Sequence, residues 1–146
     1  MEIKAQVHNI VKLKDYFFIV PDYQREYVWK VDDQVEQFLV DIDNEFEPCA
    51  KQQSSYFIGS IIVVKNDKKY DVIDGQQRLT TIVLTMCAFR DVMKGLTLDE
   101  HQAQYLKVIS EWLSTFDVAA GNVQLRLELQ YEGDVPNSVA GLSRWS

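Results

Sequence analysis

The chemistry-bearing residues of this chain concentrate in Asp74-Gly75-Gln76-Gln77-Arg78, which follows Tyr70-Asp71-Val72-Ile73 and precedes Leu79-Thr80-Thr81. Read as a strand feeding a glycine turn into a helix, the run leaves backbone N–H groups free at the helix start, where the dipole favours an anion. Arg78 then falls in the first helical turn, where a cation opposes the dipole by about 0.3–1 kcal/mol. A bound anion would reverse that cost, and the Gln76 amide with the Thr80 or Thr81 hydroxyl could complete a phosphate cradle. A structural account competes with this. Asp74 followed three residues later by Gln77 fits a capping box, with Gly75 easing the turn. That account leaves Arg78 unexplained, and both stand at this level. The run is neither Gly-x-x-x-x-Gly-Lys-Ser/Thr nor Gly-x-Gly-x-x-Gly, which excludes a Walker A loop and a dinucleotide turn.

A second constellation is Pro21-Asp22-Tyr23-Gln24-Arg25-Glu26-Tyr27-Val28-Trp29. If this segment is extended, Tyr23, Arg25, Tyr27 and Trp29 share one face and could stack on a base while gripping phosphate. The alternative is an aromatic loop packed on a sheet, with Arg25 paired to Glu26 or Asp22. Gly59-Ser60, inside an otherwise bulky run, marks either a bulge or a place where another group approaches the backbone closely. Asp22, Asp71 and Asp74 could converge on a Mg²⁺ beside a triphosphate, although acidic turn residues are common. His8 and His101 lack partners at the spacing of a triad or metal site, and Cys49 and Cys87 lack any Cys-x-x-Cys pattern. No protein-ligated metal is expected.

The elements that must hold these residues follow from apolar periodicity. Gln6–Leu13 suits a short helix, and Tyr16–Val20 a buried strand halted by Pro21. Val31, Val35, Phe38, Leu39, Ile42 and Phe46 recur at helical spacing, predicting an amphipathic helix ending near Pro48. Lys51–Ser55 is a polar loop. Tyr56–Val64 is apolar on both faces, as in a covered central strand, and Asn66-Asp67-Lys68 is a hairpin turn returning Tyr70–Ile73 antiparallel to it. A helix apolar nearly all round runs from Leu79 to Lys94, closed by Gly95. Thr97-Leu98-Asp99-Glu100 fits a capping box for a helix with the stripe Leu98, Tyr105, Val108, Ile109, Trp112, Leu113 and Phe116. Val123, Leu125, Leu127, Leu129 and Tyr131 alternate with Gln124, Arg126, Glu128 and Gln130, predicting a half-exposed strand. The expected fold is a single α/β (α+β) domain over 1–146 with about three or four strands and three main helices. Its core spans 3–94, with a helix and strand extension over 97–131.

The bulk numbers set limits. A chain of 146 residues, 47% hydrophobic and 25% charged, has the make-up of a folded domain with a real core. Net charge is −7, the opposite of the balance by which nucleic-acid binders displace counterions, so any DNA contact is local or made elsewhere. No stretch approaches the roughly 18 apolar residues of a membrane span, and the start lacks a signal-peptide layout. A cytoplasmic location and no membrane partner are expected.

Taken in order, Ile19-Val20-Pro21-Asp22-Tyr23-Gln24-Arg25-Glu26-Tyr27-Val28-Trp29, an acidic amphipathic helix, Tyr56-Phe57-Ile58-Gly59-Ser60-Ile61 and Asp71–Thr81 closely resemble the N-terminal domain of the GmrSD restriction-endonuclease family. The match extends from about Ile3 to Lys94. The resemblance implies a ParB/sulfiredoxin-like fold, a small mixed sheet flanked by helices, whose Asp-Gly-Gln-Gln-Arg motif binds or hydrolyses a nucleoside triphosphate with Mg²⁺. It makes Asp74, Gln77 and Arg78 the expected catalytic residues. Gln24, Arg25, Gly75, Gln76, Arg78, Thr80 and Thr81 are the expected nucleotide-binding set. It further implies a regulatory role in restriction of modified or phage DNA, with DNA engaged through other domains. The alternatives are a DNA-binding module that senses modified DNA and a ParB-like nuclease. Nothing after Lys94 supplies the clustered His and Asn of an HNH centre. The chain is therefore expected to be truncated or shortened, with the tail 132–146, including Leu142 and Trp145, packing on further sequence.

Overall fold

The computed structural model describes residues 2–45 and 56–130. A 3-10 helix, Ile10–Asp15, leads into strand β1, Phe18–Val20. One π-helical turn, Val31–Val35, runs into helix α1, Glu36–Glu45. Strands β2, Ile62–Asn66, and β3, Lys69–Asp74, form a hairpin, followed by helices α2, Gln76–Lys94, and α3, Glu100–Leu113. Three short strands close the described chain: β4, Ser114–Asp117; β5, Asn122–Leu125; and β6, Leu127–Leu129. No helix among the described residues is long and apolar enough to cross a membrane.

The principal sheet has the order β2-β3-β1-β6. β1 lies parallel to β3 and to β6, while β2 and β3 are antiparallel, so the sheet is mixed and the fold α/β as expected. Alternation along the strands sends Phe18, Val20, Val72, Leu127 and Leu129 to one face, where they form the core with Leu79, Ile82, Val83 and Cys87 of α2 and Trp112 and Leu113 of α3. The opposite face carries Ile19, Asp71, Ile73 and Glu128, none of them fully buried, and there Lys69 Nζ meets Glu128 Oε2 at 3.1 Å.

The hairpin turn falls where expected, with Asp67 taking the positive φ (56°) that so tight a reversal needs. The preceding strand does not. Only Ile62–Asn66 is paired, and it is an edge strand with Ile62 and Val64 exposed rather than a covered central one. Residues 56–61 run without strand pairing, and Gly59 within them has φ 132°, incompatible with a regular strand. The first helical segment lies later than expected and is a 3-10 helix, because Asn9 Oδ1 accepts from Lys12 N at 2.9 Å and fixes its start. The expected end of the acidic helix near Pro48, the loop Lys51–Ser55 and the tail 132–146 lie outside the described residues.

The α3 capping box is real but sits two residues on. Asp99, not Thr97, is the N-cap, accepting from Gln102 N at 2.8 Å while Gln102 Oε1 accepts from Asp99 N at 3.1 Å. The strand expected over 123–131 is two. β5 pairs with β4, a strand not anticipated because Phe116 matched the helical stripe, whereas β6 joins β1. At the break Arg126 turns inward and is only 1% exposed, contrary to its place on the polar side of the alternation. Its Nε donates to Trp112 O at 2.7 Å, its Nη1 to Tyr16 O, and its guanidinium carbon lies 4.6 Å from the centre of the Phe17 ring. Burial pushes this guanidinium below its ordinary pKa, opposed by the nearby Asp15 carboxylate. The residue ties the end of α3 to the entry of β1.

Candidate functional site

Helix α2 begins at Gln76, three residues earlier than periodicity suggested, because Gly75 ends the strand and becomes the N-cap in the left-handed region (φ 87°). Only glycine fits there. A Cβ on residue 75 would stand 2.8 Å from Ser60 O and 3.2 Å from Ile61 Cα. Among the described residues no side chain caps the helix, and its first intrahelical bond is Leu79 N to Gly75 O at 3.0 Å. The N–H groups of the first turn therefore remain available, as helix geometry dictates. Asp74 is the last residue of β3, exposed and opposite Ile62, and it caps nothing. The capping-box account of Asp74 with Gln77 fails.

Gln77 serves a different purpose. It is 7% exposed, its Oε1 accepts from Val28 N at 2.8 Å and from Trp29 N at 3.3 Å, and its Nε2 donates to Glu26 O at 2.9 Å. One side chain thus pins three consecutive peptide units of the Pro21–Trp29 loop to the first turn of α2. Thr81, one turn further on, adds to this seam: its Oγ1 donates to Gln77 O at 2.8 Å and lies 2.9 Å from Tyr27 OH. Gln24 Nε2 donates to Ile73 O at 3.2 Å, holding the start of the loop to the end of β3.

Arg78 takes the other side of the helix. Its Nη1 donates to Ser60 O at 3.1 Å, and its guanidinium lies against Gly59 so closely that a Cβ there would be 2.5 Å from Arg78 Cζ. Among the described residues no carboxylate comes within ion-pairing distance of it. The result is a half-buried cation, held by a backbone carbonyl and a glycine, on the first turn of an uncapped helix.

Residues 7–135 match the family model described as GmrSD restriction endonuclease, N-terminal domain. The chain belongs to this family. Membership places it among the components of restriction and anti-phage systems. No curated protein matches it.

Of the residues expected to act in this GmrSD N-terminal domain, the fold brings Gly75, Gln76, Gln77, Arg78, Thr80 and Thr81 onto the first two turns of α2, with Gln24 beside them through Ile73. Gln76 is buried, as is Thr80, which is 4% exposed with its hydroxyl lacking a hydrogen-bond partner among the described residues. Helical side chains lean toward the N-terminus, so Thr80 leans over the turn of Gln76. Arg25 is exposed, and among the described residues it pairs with neither Asp22 nor Glu26. The aromatic face expected of an extended 23–29 segment does not form. Gln24 N bonds to Pro21 O at 3.0 Å in a turn, Tyr27 goes to Thr81, and Trp29 packs against Phe38 with ring centres 6.2 Å apart. Tyr23 alone is left largely exposed, at 68%.

Among the described residues no group of three acidic, histidine or cysteine side chains could hold a metal ion. Asp71 is engaged by Asn66 Nδ2, at 3.3 and 3.2 Å to its two oxygens. A concavity of about 440 Å³ lies along the 3-10 helix, lined by His8, Lys12, Lys14 and Asp15 among others, and not at the motif. A phosphate cradle made of backbone N–H groups needs no enclosed cavity. The sequence signalled Gly59-Ser60 as a close approach without naming what approaches; it is Arg78. Tyr27 as a partner of Thr81 had no signal, because the bond spans 54 residues.

Proposed function

We propose that this domain binds a nucleoside triphosphate, with its phosphates at the first turn of α2, and that binding or turnover regulates the restriction system to which the family belongs. The observation that carries this reading is Arg78: a half-buried cation without a carboxylate partner among the described residues, fixed at an uncapped helix N-terminus. Helix dipole, first-turn N–H groups and guanidinium all raise the positive potential around the start of α2, which is what phosphate oxygens need. Gln76 and Thr80 are buried on the same two turns, the Thr80 hydroxyl without a hydrogen-bond partner among the described residues, and Gln24 and Arg25 belong to the adjoining loop.

Within this reading Gln77 and Thr81 position the loop, since the bonds they make go to it. Asp74, exposed next to the cradle, is the group suited to orient a water for attack on the terminal phosphoryl group, a reaction that rests on positioning and electrostatics. The carboxylates of the chain do not build a metal cage among the described residues, so the Mg²⁺ of this proposal accompanies the triphosphate and neutralises its charge.

Calorimetric titration of ATP, GTP, CTP and UTP, each with and without Mg²⁺, tests the reading. Saturable binding is expected, weakened by about 1.5–3 kcal/mol in Arg78→Ala through loss of a charged hydrogen bond, which is tenfold or more in affinity. An Arg78→Ala protein that binds every nucleotide as wild type does would overturn the assignment. Tight, salt-insensitive binding of unmodified duplex DNA would favour a DNA-sensing module instead.

A further inference from the structure

We infer that Gly59 is a positioning residue of the anion site, its missing side chain holding the Arg78 guanidinium in the orientation that presents it to phosphate. This rests on the triphosphate reading above. Gly59 has φ 132°, and an added Cβ would stand 2.5 Å from Arg78 Cζ and 2.7 Å from both Nε and Nη1. Three guanidinium atoms at nearly equal distance mean that the planar group lies over the Cα of residue 59 instead of touching it with one end. Nη1 is tied to Ser60 O at 3.1 Å, one peptide further on. The backbone of 59–60 is thus a platform that fixes the fork in plane and in rotation. It lies next to the N-terminus of α2, because Ser60 O and Ile61 also face Gly75.

This explains why two glycines occur where they do. Gly75 allows the helix start to sit against Ser60, and Gly59 allows the cation of that helix to lie on the same 59–61 segment. A flexible arginine free in solvent would lose rotamer entropy on gripping a phosphate, whereas one already laid on a platform loses less. A methyl at residue 59 would meet the mobile end of a side chain, so Arg78 would swing aside, while the φ of 132° adds a backbone strain that does not involve Arg78 and is read in the melting temperature. The effect should therefore appear in anion affinity and depend on Arg78.

The test is a double-mutant cycle read by calorimetry with inorganic triphosphate and Mg²⁺, with melting temperatures recorded alongside. Gly59→Ala should weaken binding about as much as Arg78→Ala, tenfold or more. In the Arg78→Ala background it should change affinity by no more than about twofold. Arg78→Lys keeps the charge but lacks the planar fork, and should bind nearly as weakly as Arg78→Ala; this arm holds even if the strain at φ 132° keeps Gly59→Ala from folding. Full binding by Arg78→Lys, or additive losses from Gly59→Ala and Arg78→Ala, would overturn the platform while leaving the phosphate assignment intact. Unchanged binding by Arg78→Ala would remove the assignment itself and the platform with it.

Discussion

Gln77→Leu keeps the volume of a buried side chain and removes the hydrogen bonds that pin the 26–29 backbone. Two of those bonds are short, 2.8 Å from Val28 N and 2.9 Å to Glu26 O, and the third, from Trp29 N, is 3.3 Å. A neutral hydrogen bond contributes about 0.5–1.5 kcal/mol net, and the long one less. Glu26 and Val28 are exposed, so the freed backbone groups can partly rehydrate and the full penalty of burying them unpaired does not apply. The expected loss is about 1.5–3 kcal/mol, or roughly 5–10 °C in melting temperature for a domain of this size. Hydrogen exchange should localise it, with the amides of Val28 and Trp29 losing protection while those in the second half of α2 keep theirs. A Gln77 acting on the ligand alone would give the opposite pattern, with activity lost and melting unchanged. A Gln77→Leu protein melting within about 1 °C of wild type, with Val28 and Trp29 still protected, would refute the latch.

Three further outcomes are expected. Asp74→Asn should alter stability by no more than about 0.5 kcal/mol, because Asp74 caps nothing, yet should depress any Mg²⁺-dependent phosphate release; a large drop in melting temperature would restore a structural role. Arg126→Met should cost about 2–5 kcal/mol in urea unfolding, since it strips Trp112 O and Tyr16 O of their buried donor; a near-neutral effect would mean those carbonyls find water. Burial raises the Cys87 thiol above its ordinary pKa, with Asp91 adding to and Arg90 opposing the shift. The unfolded chain then ionises this thiol first, so its contribution to stability is complete below about pH 8.5 and is lost as pH rises through the folded value. Melting curves of wild type and Cys87→Ala should converge over that alkaline range, and a constant difference would contradict the shift.

What the sequence made legible was whatever local rules determine. The Asp67 hairpin, the two long helices, the strand before Pro21 and the inward pair Leu127 and Leu129 follow from turn chemistry and periodicity, which operate over a few residues. The motif could be located because a glycine between a β-branched run and a helix is itself a local signal. What each motif residue touches was not legible, since those contacts span long separations: Gln77 to Glu26, Arg78 to Ser60 and Tyr27 to Thr81. The capping box was misread for a related reason. Asp74 and Gln77 have the right spacing, but the left-handed Gly75 takes the cap position one residue later, a consequence of its packing on Ser60 and Ile61. Arg126 was misplaced because alternation presumes one continuous strand, and the chain changes sheets at that residue.

These contacts explain how one helical turn can be both structurally committed and open to a ligand. An N-terminus capped by Asp74 would bring a carboxylate to the N–H groups and repel phosphate. Here the cap is a glycine, and the adjoining segments are secured by side chains that point away from the axis: Gln77 to the 26–29 loop, Arg78 to the 59–60 backbone. The N–H groups at the end of the axis are left out of both attachments. Arg78 also keeps donors to spare, because Ser60 O takes only an N–H of Nη1, at 3.1 Å, of the five that a guanidinium carries. An anion arriving at the helix start can therefore take the remaining N–H groups of the arginine while the fork stays on the 59–60 backbone and the Gln77 seam, which shares no atom with it, is undisturbed.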